Sequence, residues 1–192
     1  MAAIITEKFR LHNASQFVES FSEAAANVYY LFLGKASPFS TATSGGSDSS
    51  PPTPADAVGQ TEYYSWDSML AAKQISSSDI TRAVVRRNFS SGTTYDMYEH
   101  NISSDNTTTS GASNLYSSTF YFLTSANRVY KVLDNNGGTA YSGSEPTSES
   151  TSPFALGGYV LKYMYTISSS DAAKFLTTDF MPISTDSTVS AA

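Results

Sequence analysis

The apolar residues of this chain come in short blocks: VYYLFLG, STFYFLT, RVYKVL and GGYVLKYMYTI. Between them run polar tracts such as SGGSDSS, SSDNTTTSGAS and SGSEPTSESTS. Blocks this short, rich in Tyr, Phe and β-branched residues, fit strands, and the Ser/Thr/Gly/Pro tracts fit turns and loops. Ser and Thr supply 55 of the 192 residues, while charged residues make up only 15%. An ordinary globular chain carries about 25% charged residues. A helical bundle, whose surfaces are filled with Glu, Lys and Arg, is therefore a poor match. The expected class is α+β: a β-rich layered sandwich with about three short helices, forming a single domain over residues 1–192. Long loops are expected around residues 36–60, 101–118 and 135–156.

The individual blocks can be placed. In LHNASQFVESFSEAAAN, residues Ala14, Phe17, Phe21 and Ala25 fall at helical spacing, with Asn13 or Ser15 as N-cap. VYYLFLG is apolar or aromatic at almost every position, so it predicts a strand ended by Gly34 with both faces covered. Residues 36–60 hold four prolines and a Gly-Gly pair. They read as an irregular loop, either plain surface or an arm lying along a neighbouring subunit. Tyr63, Trp66, Leu70 and Lys73 share helical spacing and predict a short helix. DITRAVVRRNF alternates, with Arg82, Val84 and Arg86 on one side and Ala83, Val85 and Arg87 on the other, which predicts a strand with a basic stripe. STFYFLT and RVYKVL form a hairpin across Ser125–Arg128. GGYVLKYMYTI is a further strand, with Tyr159, Leu161, Tyr163 and Tyr165 on one face and Val160, Lys162, Met164 and Thr166 on the other. SSSDAAKFL reads as a helix capped by Ser169 or Ser170, with Asp171 favoured in its first turn by the helix dipole. DFMPIS reads as an edge strand, because Pro182 cannot donate to a ladder.

Little in the residues points to chemistry. There are no cysteines and only two histidines, His12 and His100. Thiolate metal sites, disulfides and cysteine nucleophiles are thereby removed. Gly34-Lys35 lacks both the preceding glycine and the following Ser or Thr of a phosphate-binding loop. Asp96, Glu99 and His100 form a loose cluster that fits a solvated strand end better than a metal site. No G-x-S-x-G elbow is present. Glu62, Asp67, Asp96 and Glu99 are candidates for a carboxylate pair only as any acidic residue is. No enzymatic activity, cofactor or metal is expected. The balance of 17 Asp and Glu against 11 Lys and Arg, net −6, argues against nucleic-acid binding, which rests on cationic groups. The longest apolar run, Val28–Leu33, is far short of the roughly 20 residues that span a bilayer. The opening MAAIITEKFR lacks an apolar stretch of signal-peptide length, so no targeting segment is expected. Arg82, Arg86 and Arg87 are the one concentration of positive charge. They suit either carboxylates across a subunit interface or salt bridges within the chain. With Tyr63 and Trp66 they are the candidate interface residues.

Several segments, in order, resemble the baseplate wedge subunit of T-even-type contractile-tailed phages, especially the versions carried by cyanobacterial phages. They are MAAIITEKFRLHNASQF, NVYYLFLGKASPF, SPPTPAD, TEYYSWDSMLAAKQISSSDITRAVVRRNF with SGTTYDMY, RVYKVL, and GGYVLKYMYTISSSDAAKFLTTDFMPI. The resemblance implies a structural virion protein without catalytic residues. It implies a place in the tail baseplate and synthesis in the host cytoplasm. This chain would assemble with other wedge proteins, six wedges closing around a hub. A homodimer of a β-rich layered fold is also implied, and this sequence matches the N-terminal part of a longer relative. The segment Arg86-Arg87 with Phe89, and Gly34 with Pro38-Phe39, carry over as structural motif residues. A second class stays open: a receptor- or glycan-binding tail module that uses surface Tyr and Trp66 for stacking.

Overall fold

A computed structural model of the chain describes residues 6–23, 27–34, 47, 49–50, 66 and 68–184. The chain divides into two compact units, Met1–Ile80 and Thr81–Ala192.

In the first unit, helix α1 (Glu7–Glu19) starts at Thr6, whose hydroxyl accepts the Phe9 amide at 3.3 Å. The expected caps, Asn13 and Ser15, lie inside the helix, so the helix begins and ends well before the predicted span. EKFRL are good helix formers and Thr6 satisfies an orphan donor, which pulls the start forward. The helix stops at Ser20, whose hydroxyl bonds the Phe17 carbonyl at 2.7 Å. Just beyond it, Phe21 lies 4.5 Å from Tyr29 and 5.2 Å from Phe17, ring to ring. Ser20 Oγ meets the Tyr29 hydroxyl at 2.9 Å. This small cluster ties α1 to strand β1 (Tyr29–Gly34).

β1 pairs antiparallel with β2 (Met69–Ile75), from Tyr29 opposite Ile75 to Gly34 opposite Met69. The helix expected over Tyr63–Lys73 is therefore wrong from Met69 onward, and Tyr63 lies outside the described residues. The unpaired amides and carbonyls of β1 need a ladder partner, and that requirement outweighs the weak helical preference of MLAAKQI. After β2, Asp79 bonds Lys73 Nζ at 2.6 Å and the Ser76 amide at 3.0 Å, closing a single turn at Ser77–Asp79. Those bonds, Lys73 first, pull the Asp79 pKa down to about 2.

The second unit is built on a four-stranded antiparallel sheet, in the order β4 (Tyr121–Leu123), β5 (Arg128–Asp134), β7 (Tyr159–Thr166), β6 (Phe154–Leu156). β4 and β5 form the predicted hairpin, with Asn127 at φ 59 in its turn. β6 and β7 are joined by Gly157-Gly158, both at positive φ, the geometry a two-residue hairpin turn demands. A separate ladder pairs β3 (Ala83–Val85) with β8 (Phe180–Pro182), and helix α2 (Ser169–Phe175) precedes β8. The α2 cap is Ser168, which accepts the Asp171 amide at 3.0 Å, one residue before the expected Ser169 or Ser170.

Strand alternation sends the two sheet faces to two cores. One face packs Phe122, Tyr130, Val132, Tyr159 and Leu161 against Tyr95 and Tyr141. The other packs Leu123 and Val129 against Ile167 and Met181, with Val84, Ala172 and Leu176 closing over them. Buried tyrosines must also satisfy their hydroxyls. Tyr130 donates to the Ser148 carbonyl at 2.7 Å, Tyr141 to Ser144 at 2.8 Å and Tyr159 to Thr139 at 2.6 Å. Residues 139–152, which carry no helix or strand, are pinned to the sheet through these bonds. The fold is thus α+β and β-rich, with helices α1 and α2 described end to end; Trp66, from the third expected helix, is itself helical, and residues 61–65 and 67 around it lie outside the described residues.

Candidate protein interface

The β1–β2 pair presents apolar side chains that nothing described covers. Leu31 is 58% exposed, Leu33 63% and Leu70 73%; Tyr30 and Phe32 on the alternate face are also open. The expectation that both faces of VYYLFLG would be covered is corrected: Tyr29 alone is half-buried. An alternating two-stranded ladder cannot hide both faces without a second layer, and α1 reaches it only at Tyr29. Trp66 is likewise open at 66%. Contiguous apolar surface of this kind marks an interaction site.

The arginines of the second unit behave differently from a solvated stripe. Only Ala83–Val85 is strand, so Arg82, Arg86 and Arg87 flank it. Arg86 donates from Nη1 to the Thr177 carbonyl at 2.8 Å and from Nε to Asn88. Arg87 donates from Nη2 to the carbonyls of Tyr116 and Ser117 and lies 5.6 Å from the Tyr121 ring centroid. Its buried Nε has no partner. Among the described residues neither Arg86 nor Arg87 meets a carboxylate; both donate to backbone carbonyls instead. Those bonds hold residues 116–117 and the turn after α2 to the β3 region. The Tyr121 hydroxyl donates to the Val85 carbonyl, and the Tyr165 hydroxyl, raised by burial to about 12, donates to the Pro182 carbonyl.

The acidic candidates are structural as well. Asp96 is fully buried rather than solvated at a strand end. It accepts from the Ser110 amide and hydroxyl at 2.8 and 2.7 Å, the Ser118 hydroxyl at 3.0 Å and the Thr119 amide at 2.9 Å. Burial alone would raise its pKa. The bonds from Thr119, Ser110 and Ser118 outweigh that and hold the carboxyl below its ordinary value. Its lone pairs are occupied, so it folds the 110–119 loop rather than offering itself to a substrate. Glu99 holds the Asn106 amide at 2.9 Å, and Glu62 and Asp67 lie outside the described residues. Among the described residues no His, Asp and Glu group could hold a metal, and no helix is long and apolar enough to cross a membrane.

What sequence reasoning missed here is Asp96 as an anchor. The signal was present as an isolated Asp followed at a distance by SSDNTTTSGAS. Nothing in the sequence, however, shows which hydroxyls return to it.

The open apolar strands of the first unit suit assembly. No curated protein matches the chain. The phage family described as Bacteriophage T4 Gp8 matches residues 3–144. With that share of its length matched, the chain belongs to the Gp8 family and is a structural subunit of the baseplate wedge of T4-like phages.

Proposed function

We propose that this subunit is built into the wedge by protein–protein contacts made first through the β1–β2 pair, with Tyr63, Trp66, Arg82, Arg86 and Arg87 as further contact residues. The observation that carries this reading is the apolar surface of β1–β2: several leucine- and phenylalanine-sized groups stand in water, and covering each would contribute roughly 1.5–3 kcal/mol. Contacts with other wedge proteins and a homodimer both draw on that surface. The chain carries out no catalysis, and its role needs neither nucleic acid nor membrane. It is made in the host cytoplasm, and residues 1–192 act together as one wedge-type module.

Mixing the purified chain with the other purified wedge proteins and following co-migration by sedimentation tests this. Wild type is expected to enter a complex, and replacing Leu31 and Leu33 by Asp is expected to abolish entry while leaving the second unit folded. Unchanged entry by that variant removes β1–β2 from the interface. A second reading, a tail module stacking host-surface sugars, is favoured by the exposure of Trp66 and Tyr116. Binding of the isolated chain to envelope polysaccharide, lost in Trp66→Ala, would replace the assembly reading.

A further inference from the structure

The sheet register of the second unit sets two lysines against each other. Lys131 of β5 lies directly opposite Lys162 of β7, and like charges at directly opposed positions destabilise a sheet. By alternation both project from the face that carries Val129 and Tyr165. Both are half-buried. Among the described residues neither has a carboxylate at ion-pair distance; the ion pairs there are Lys73–Asp79 and Arg128–Glu149. The Lys131 ammonium instead sits 3.2 Å from the Tyr98 ring centroid. Tyr98 meets Phe120 edge-on at 5.1 Å, and Phe120 meets Tyr121 at 5.0 Å. A row of three aromatic rings therefore starts at the Lys131 ammonium. Burial, and then the neighbouring Lys162, lowers the Lys131 pKa, and among the described residues the ring of Tyr98 is what faces its charge.

An unneutralised cation pair against aromatic rings, in a protein of net charge −6, is complementary to a carboxylate-bearing chain. Two lysines whose backbones lie one strand spacing apart, about 5 Å, can turn their ammoniums onto one carboxylate or hold two successive ones. A nucleic-acid track is disfavoured, because phosphate backbones require many cations in line, and Arg86 and Arg87 nearby in sequence are already donating to protein carbonyls.

We propose that Lys131 and Lys162, with Tyr98 and Phe120 beside them, seat an acidic segment of a neighbouring wedge protein, its Asp or Glu bridging the two ammoniums and its apolar flank lying on the rings. This deepens the assembly reading and rests on it for the partner's identity.

The test uses the full chain and a fluorescein-labelled random Glu–Tyr copolymer, followed by anisotropy. Saturable binding that weakens with salt is expected. It should fall at least tenfold in the Lys131→Gln, Lys162→Gln double variant, whose far-ultraviolet circular dichroism should match that of wild type. Equal binding by the double variant, absence of saturable wild-type binding, or tighter binding to single-stranded oligo-dT would each overturn the proposal. Assembly of the same variant with purified wedge proteins separates the two claims. Wild type that fails to assemble sinks the assembly reading; a double variant that assembles as well as wild type sinks the lysine seat alone.

Discussion

The two units of this subunit use the same kinds of residue to opposite ends. In the second, tyrosines and phenylalanines are buried to completion: Phe122, Tyr130, Tyr141 and Tyr159 have no exposed surface, and each Tyr hydroxyl finds a carbonyl. In the first, the equally aromatic β1 leaves Tyr30 and Phe32 open, and Phe21 is its one buried large side chain among the described residues. The difference lies in the layers available. Four strands, a second ladder, a helix and long tethered loops can enclose two cores, whereas the α1 helix and two strands described in the first unit leave both faces of the ladder open. A unit that completes its own core is a scaffold. One that does not has stability still to gain from a partner.

That contrast can be broken by substitution. Phe122→Ala, at the centre of the first core, is expected to cost about 4 kcal/mol, read as a lowered urea midpoint of the second unit by near-ultraviolet circular dichroism. If it cost less than about 1 kcal/mol, the second unit would not be the rigid half. Asp96→Asn should cost about 3 kcal/mol, since the amide group sets donors against donors from Ser110, Ser118 and Thr119. Gly157→Ala should cost a similar amount, about 3 kcal/mol. At φ +62 its Cβ would meet the Gly143 nitrogen at 2.5 Å and Cα at 2.7 Å, and backbone cannot step aside cheaply.

A pH series sharpens the Asp96 case. Its folded pKa is depressed below the ordinary 3.8, so its contribution is fully present above that value and is lost as the pH falls below it toward the folded pKa. Stability of the second unit should therefore decline from about pH 4 downward in wild type, and less steeply in Asp96→Asn. A parallel decline in both would deny Asp96 the role. The smallest effect is expected in the first unit: Leu31→Ala should change the stability of the isolated chain by less than about 0.5 kcal/mol. The emission of Trp66, the single tryptophan, should nonetheless shift to the blue when wild type assembles. A large loss of stability in Leu31→Ala would mean that β1 is already covered within the chain.

Much of the second unit was legible because its signals are local. The β4–β5 hairpin and the terminal strand at Met181-Pro182 follow from period and turn residues within a few positions, whereas β7 keeps its expected alternation only to Tyr163: a register shift against β5 sends Tyr165 to the other core. Errors fell where a local signal competed with a distant partner. Met69–Ile75 reads as the end of a helix until β1 requires a ladder. The start of α1 lay outside the apolar spacing that was used to find it. The arginines were legible as a cluster, but whether they met carboxylates or carbonyls depended on where residues 116–117 and 177 came to lie.

Composition and spacing alone determined a β-rich chain without cysteines, its strands set apart by hydroxyl-rich loops, because side-chain period and residue chemistry are properties of neighbours along the chain. Tertiary structure alone decided three further things. One is that Asp96 is an anchor, another that β1 stays open, and the last that Lys131 faces Lys162. Each depends on strand register, loop return or the number of covering layers, and these bring together residues that the sequence keeps far apart.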